Sequence, residues 1–373
     1  MDLIYKSQQY TMVAGSTTPI DLNFLPARGP NGKRLVVERI LLNHIVQVDT
    51  DGSTTIAQGG WYAFNQRTIL KDLGGEMVNL TGQEIHAVHQ YERGREAFPA
   101  PTALAVSQSN AQREIPIFID LAPVKSRRRW DYAVPTDQFL AIPGGQLMVT
   151  AASAAQVGTG AGTTIDSHTL TVYVYCREEK GVEAHSRREL RSQTLANAVD
   201  NTVPVNGMLV RQAFIMKAAD SATGGTTEDA TQVTIDALGL SQIEPTALIK
   251  QFGLEAESDF SSATDPFVQT AFADDTQTPK ALPLVWTRKR DSKINELPFH
   301  GGSILVRLTG GTVTNNVIVF DYVAPHTEKN TQVSKALARD GKGGRRVKTF
   351  GKTQRNPDAH GIYARFMPAR LAG

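Results

Sequence analysis

The feature that most constrains this chain is an alternation of period two that recurs along most of its length. In Glu114–Leu121 the residues Ile115, Ile117, Ile119 and Leu121 fall on one face, with Glu114, Pro116, Phe118 and Asp120 on the other. His168–Cys176 alternates in the same way, setting Leu170, Val172, Val174 and Cys176 opposite Thr169, Thr171, Tyr173 and Tyr175. A strand points successive side chains to opposite faces, so such runs suit half-buried sheets and not helices. Leu35–Val48, Gln146–Ala151, Met208–Ala218, Gln232–Ile235, Leu284–Thr287, Ser303–Leu308 and Asn316–Val323 are further strand candidates. Clusters of turn-forming residues separate them, at Ala27–Gly32, Gly158–Gly162, Asp220–Asp229 and Gly310–Asn316. The chain is expected to be mainly β.

Helices are expected to be few and short. Tyr62–Leu73 carries Phe64, Ile69, Leu70 and Leu73 on one side, and Glu244–Phe252 has Pro245 near a helix start. Glu183–Val199, rich in helix formers, reads as a connector between two β-rich halves, and Glu328–Asp340 as one more helix.

An ordered internal repeat carries more information than any single motif. Pro143-Gly144-Gly145-Gln146-Leu147-Met148-Val149-Thr150 resembles His300-Gly301-Gly302-Ser303-Ile304-Leu305-Val306-Arg307. Each is preceded by an apolar residue and proline, Val134-Pro135 and Leu297-Pro298, and followed by a strongly alternating strand, Leu170–Cys176 and Val317–Val323. Upstream, each half opens with a long β run, then a segment expected to hold a short helix, then a strand ending in charge. Two halves of ~120–150 residues with about eight strand candidates each suit jelly-roll sandwiches. Immunoglobulin-like sandwiches are the alternative, but those run nearer ~100 residues and lack helix-bearing insertions. The expected division is an N-terminal arm over 1–19, a first jelly roll over 20–178 and a partly helical connector over 179–205. A second jelly roll over 206–325 and a basic C-terminal tail over 326–373 complete it.

Charge separates the tail from the body. Residues 326–373 hold eleven Lys/Arg against three Asp/Glu, a net +8, which leaves −6 on the rest of a chain whose total is +2. A basic tail on an acidic body suits assembly around something anionic. No apolar run approaches the ~18 residues of a membrane-spanning helix. Residues 1–19 lack a basic-then-apolar signal pattern, and Cys176 is the sole cysteine, so synthesis in a reducing cytoplasm is expected.

Catalytic motifs find little support, and no catalytic, cofactor-binding or metal residues are expected. His86-Ala-Val-His89 lacks the Glu of a zincin site, and further His or Glu ligands for a cupin-type metal cannot be placed. Cys176 reads as a buried core thiol. No Gly-x-Ser-x-Gly elbow occurs, and Asp274-Asp275 and Glu178-Glu179 read as solvated loop charge. Gly351-Lys352-Thr353 imitates the end of a phosphate loop, but Arg346 stands where its first glycine belongs.

Two basic clusters remain. Arg127, Arg128 and Arg129 after a strand suit a solvated loop, an inter-subunit ion-pair site or a polyanion contact. The Gly-rich tail segment, with Lys342, Arg345, Arg346, Lys348, Lys352, Arg355 and Arg365, is too basic to form its own core. It suits a solubilising appendage, a clamp on a neighbouring subunit, or a contact with anionic lipid or nucleic acid.

The two tandem jelly rolls resemble the double jelly-roll major capsid proteins of tailless, internally membrane-containing viruses, the lineage of tectiviruses, corticoviruses and adenovirus hexon. The resemblance rests on Leu35–Val48, on Gly60-Trp61-Tyr62-Ala63-Phe64-Asn65-Gln66-Arg67, on Leu80-Thr81-Gly82-Gln83-Glu84-Ile85 and on Ile115–Pro123. It covers about residues 20–325 by pattern, and the basic C-terminal extension departs from it. The resemblance implies self-assembly without chemistry: a homotrimer forming a pseudo-hexagonal capsomer in an icosahedral shell around an inner membrane and genome. It implies as partners neighbouring capsomers, minor capsid or vertex proteins, and lipid or genome through the tail, with the virion as location. A phage tail, baseplate or spike protein with receptor or carbohydrate binding is the alternative, and a jelly-roll enzyme is a third.

Overall fold

The computed structural model describes residues 3–56, 59–93, 101–122, 134–157, 162–179, 187–196, 199–204, 209–217, 232–236, 281–285, 297–298, 303–309 and 316–324. Its first half contains β1 (Leu3–Thr11), β2 (Thr17–Ile20), β3 (Leu35–Thr50), β4 (Asn65–Asp72), β5 (Gly75–Leu80), β6 (Ala111–Asp120), β7 (Val134–Pro135), β8 (Leu147–Ala151) and β9 (Thr163–Glu178). Two helices interrupt them, α1 (Gly82–Arg93) and the short α2 (Thr136–Leu140). One sheet runs β1-β9-β3-β6, with β7 added to β3, and the facing strands run β2-β8-β4-β5. Setting the two-residue β7 aside, chain order first-eighth-third-sixth faces second-seventh-fourth-fifth, which is jelly-roll connectivity.

Period-two patterning accounts for the core. Ile115, Ile117 and Ile119 of β6 and Leu170, Val172, Val174 and Cys176 of β9 are all buried, as are Ile40, Leu42, Val46 and Val48 of β3. Leu147, Val149 and Ala151 of β8 meet them from the other sheet within one hydrophobic cluster.

The second half contains β10 (Arg187–Leu195), β11 (Asn201–Pro204), β12 (Leu209–Lys217), β13 (Gln232–Asp236), β14 (Ala281–Val285), β15 (Leu297–Pro298), β16 (Ser303–Thr309) and β17 (Asn316–Ala324). Its sheets run β10-β17-β12-β14, with β15 added to β12, and β11-β16-β13. This repeats the strand order of the first half, with no counterpart of β5 among the described residues. The agreement extends to single residues. The two-residue β7 pairs with Val36 and Val37 of β3, and β15 pairs with Leu209 and Val210 of β12. An extra residue follows immediately in both long strands, between Val37 and Arg39 and between Val210 and Gln212. Gly144 and Gly145, ahead of β8, have φ of +69° and +62°, values that suit glycine. Their counterparts Gly301 and Gly302 lie outside the described residues.

Several local expectations are corrected. The helix expected over Tyr62–Leu73 is a 3-10 turn at Gly59–Phe64 followed by β4, whose backbone pairs with β5 and β8 on its two sides. Leu3–Thr11, placed in an N-terminal arm, is instead the edge strand β1, paired antiparallel with β9. The connector expected to be partly helical supplies β10 and β11, the first two strands of the second sandwich, because β17 and β16 offer them partners. The true helix of the first half is α1. Thr81 and Glu84 form its capping box, with the Glu84 carboxylate accepting from Thr81 N at 2.8 Å and Thr81 Oγ1 accepting from Glu84 N at 3.2 Å. The expected helices Glu244–Phe252 and Glu328–Asp340 lie outside the described residues.

Candidate functional site

The histidine motif of α1 is occupied by structural partners, while Asp274-Asp275 and Gly351-Lys352-Thr353 lie outside the described residues. His86 of α1 stacks on Tyr62 with ring centroids 3.7 Å apart, while His89 Nδ1 lies 2.6 Å from Asp120 Oδ2. The two imidazoles of this motif are therefore engaged separately. Among the described residues, no group of three or more His, Cys, Asp or Glu side chains is placed to hold a metal ion. Burial, helped by the Glu38 charge, pushes the Cys176 thiol up to about 12, so it stays protonated at neutral pH.

A second histidine pair was not anticipated. His44 Nδ1 of β3 and His168 Nε2 of β9 are 2.9 Å apart inside the first sandwich, with the edge of Phe64 against His168. Their other ring nitrogens have no hydrogen-bond partner. Burial and the neighbouring His168 hold His44 well below the usual imidazole range, and burial lowers His168 to about 4. Both rings are neutral under ordinary conditions.

Polar side chains converge instead where the two sandwiches meet. β5 and β10 pair in parallel, Val78 with Leu190 and Asn79 with Arg191, fusing sheets from the two halves into one of nine strands. Arg188, 1% exposed, donates to both carboxylate oxygens of Asp321 at 3.0 and 2.9 Å. It also donates to the backbone carbonyl of Asp120, at the end of β6 in the first sandwich. The Asp120 carboxylate accepts from Arg39 Nε at 2.7 Å as well as contacting His89. Burial opposes the charge on Asp120, but His89 and Arg39 outweigh it and hold the carboxyl below its ordinary range. Arg67 Nη1 of β4 reaches Ser192 Oγ of β10 at 3.3 Å, and Glu84 is raised by burial against bonds from Thr81 and Ser192 and the Arg67 charge. Leu190, Val317 and Val319 join the hydrophobic cluster of the first sandwich. The Arg188–Asp321 pair joins two strands of the second sandwich, and the Arg188 bond to the Asp120 carbonyl carries the contact across to the first.

The basic residues singled out in the sequence are not among those described. Arg127, Arg128 and Arg129, and Lys342, Arg345, Arg346, Lys348, Lys352, Arg355 and Arg365, all lie outside the described residues. Arg188, Asp321, Asp120 and Arg67 were missed as a group. Their only sequence signal was the charged run Arg187-Arg188-Glu189 within an otherwise strand-compatible segment.

No protein-family model and no curated protein sequence matches the chain. Solved structures do. The crystal structure of the STIV MCP aligns over 88% of this chain and 98% of its own, at 15% identity and a TM-score of 0.54. The atomic structure of Sulfolobus turreted icosahedral virus aligns over 90% and 97%, at 13% identity and a TM-score of 0.55. The major capsid protein P2 of bacteriophage PM2 aligns over 88% and 98%, at 11% identity and a TM-score of 0.49. With two sandwiches of one strand order in a single chain, this protein has the double jelly-roll fold found in viral major capsid proteins.

Proposed function

We propose that the chain is a major capsid protein, a structural protein and not an enzyme, whose trimers are pseudo-hexagonal capsomers of an icosahedral shell. One observation carries this reading: the two sandwiches share one strand order among the described residues and are joined through a continuous sheet. Duplication gives a trimer six near-equivalent sides, which is what a hexagonal lattice needs. On this reading the two sandwiches, ending near residues 178 and 325, are the domains, and the shell encloses an inner membrane and genome.

The basic tail over 326–373 then lies on the inner side. Lys342, Arg345, Arg346, Lys348, Lys352, Arg355 and Arg365 contact neighbouring subunits, anionic lipid or genome there, and Arg127, Arg128 and Arg129 belong to an inter-subunit loop. Minor capsid or vertex proteins complete the virion, and the chain is made in the host cytoplasm. The test is the mass of the purified full-length chain at micromolar concentration. Trimers or larger assemblies support the reading, and a monomer across all salt and pH conditions overturns it.

A further inference from the structure

Asparagine followed by glycine is prone to lose its side-chain amide, because glycine leaves the next backbone nitrogen unhindered. The chain has two such pairs, Asn31-Gly32 and Asn206-Gly207, and the second lies outside the described residues. Asn31 and Gly32 are exposed at the tip of a hairpin that leads into β3. Arg28 and Arg34 bridge its base, Gly29 N donates to Lys33 O at 2.8 Å, and Gly32 N donates to Gly29 O at 2.9 Å. Pro30 and Asn31 are thus the central residues of a β-turn, followed by Gly32 at a φ of +72°.

One carboxylate fastens this turn to the end of β9. Glu178 accepts from Asn31 N through Oε1 and from Asn31 Nδ2 through Oε2, both at 2.7 Å. These bonds hold the Glu178 carboxyl below its ordinary range, so it is charged at neutral pH. Gly29 makes room for it, since a Cβ there would fall on the Glu178 side chain. Glu179 N donates to Arg34 O at 2.9 Å, so two neighbouring residues at the end of β9 staple the hairpin.

The same contacts oppose deamidation. In that reaction Gly32 N gives its proton to solvent and bonds to Asn31 Cγ, while Nδ2 leaves as ammonia. Water then opens the five-membered succinimide at either carbonyl, giving aspartate or isoaspartate, so one water is consumed and one ammonia released. In the closed turn the Gly32 N–H is engaged by Gly29 O, and the Asn31 side-chain amide is held on Glu178. We propose that Asn31 is a site of spontaneous deamidation gated by Glu178, protected while the turn is closed and irreversibly modified once it opens. Either product sets a new carboxylate against charged Glu178, and two carboxylates at one site repel. The modified hairpin is therefore released from the end of β9. The inference is independent of the capsomer reading.

The test incubates the full-length protein in mildly alkaline buffer and follows aspartate plus isoaspartate at position 31 by peptide mass mapping. Folded wild type is compared with the same chain unfolded in urea and with folded Glu178→Gln, which lacks the charge and one acceptor oxygen. Bonds to a charged acceptor are the strong ones, so both comparisons are expected to deamidate about tenfold faster than folded wild type. Where Glu178→Gln does not fold, Gly29→Ala gives the same reading, because its Cβ displaces the carboxylate. Equal rates in folded and unfolded wild type overturn the proposal, as does a wild-type rate in the folded variant. An Asn31 that stays intact in the unfolded chain overturns it too. Asn31→Asp reproduces one product, and its Glu179 N–H is expected to exchange with solvent faster than in wild type. Unchanged exchange there overturns release of the hairpin.

Discussion

Arg188 and Asp321 form a fully buried ion pair, at 1% and 0% of their side-chain surface. Removing one partner of such a pair strands the other charge, at a cost of about 3–5 kcal/mol. Arg188→Met is therefore expected to lower unfolding stability by that order in denaturant titration. Arg188→Met combined with Asp321→Leu should recover much of the loss, because no charge is then left unpaired. The histidine pair acts through pH. Its folded-state values lie below the ordinary 6.5, with His168 at about 4, so the unfolded chain takes up protons in that window that the folded chain refuses. Stability from these groups is complete above pH 6.5 and is lost as pH falls toward 4, by roughly 3 kcal/mol for His168 alone. Denaturation midpoints measured from pH 7 to pH 4 should fall steeply for the wild type and more gently for His168→Gln.

At the scale of elements, the turn before β8 illustrates what the sequence alone makes legible. Gly144 and Gly145 both have positive φ, and a Cβ on Gly144 would lie 3.2 Å from Asp21 Oδ1. Gly145 has open space around it, so only backbone strain opposes a side chain there. Gly145→Ala is expected to cost about 1 kcal/mol in thermal or chemical unfolding, and Gly145→Asn less, since asparagine tolerates this region. The Gly-Gly turn, the apolar-proline pairs and the alternating strands β6 and β9 were all readable because each is set by local periodicity. β4 was misread because Ile69 and Leu70 are adjacent apolar residues, and helical and strand periods both accommodate such a pair. β10 was misread for a different reason. Its outward residues are buried by the other sandwich, so Arg187-Arg188-Glu189-Leu190-Arg191 mixes charge and aliphatic side chains without clean alternation. The junction depends on partners such as Asp120 and Asp321, 68 and 133 residues away from Arg188, and no local pattern encodes that.

For the whole molecule, the proposed capsomer assembles through its two sandwiches, and the proposal gives the basic tail a separate task. Polycation contacts with phosphates are driven by counterion release and weaken steeply with salt. Deletion of Lys342–Gly373 is expected to leave folding and trimerisation intact while shells become unstable or fail to form. Particles of unchanged salt resistance would show the tail to be a solubilising appendage. The central claim is that two matched sandwiches in one chain make a three-chain, six-sided unit. Electron microscopy of the purified full-length protein tests it most directly. Class averages with six near-equivalent lobes from three chains are the predicted result, and two-lobed monomers under every salt and pH condition would contradict it.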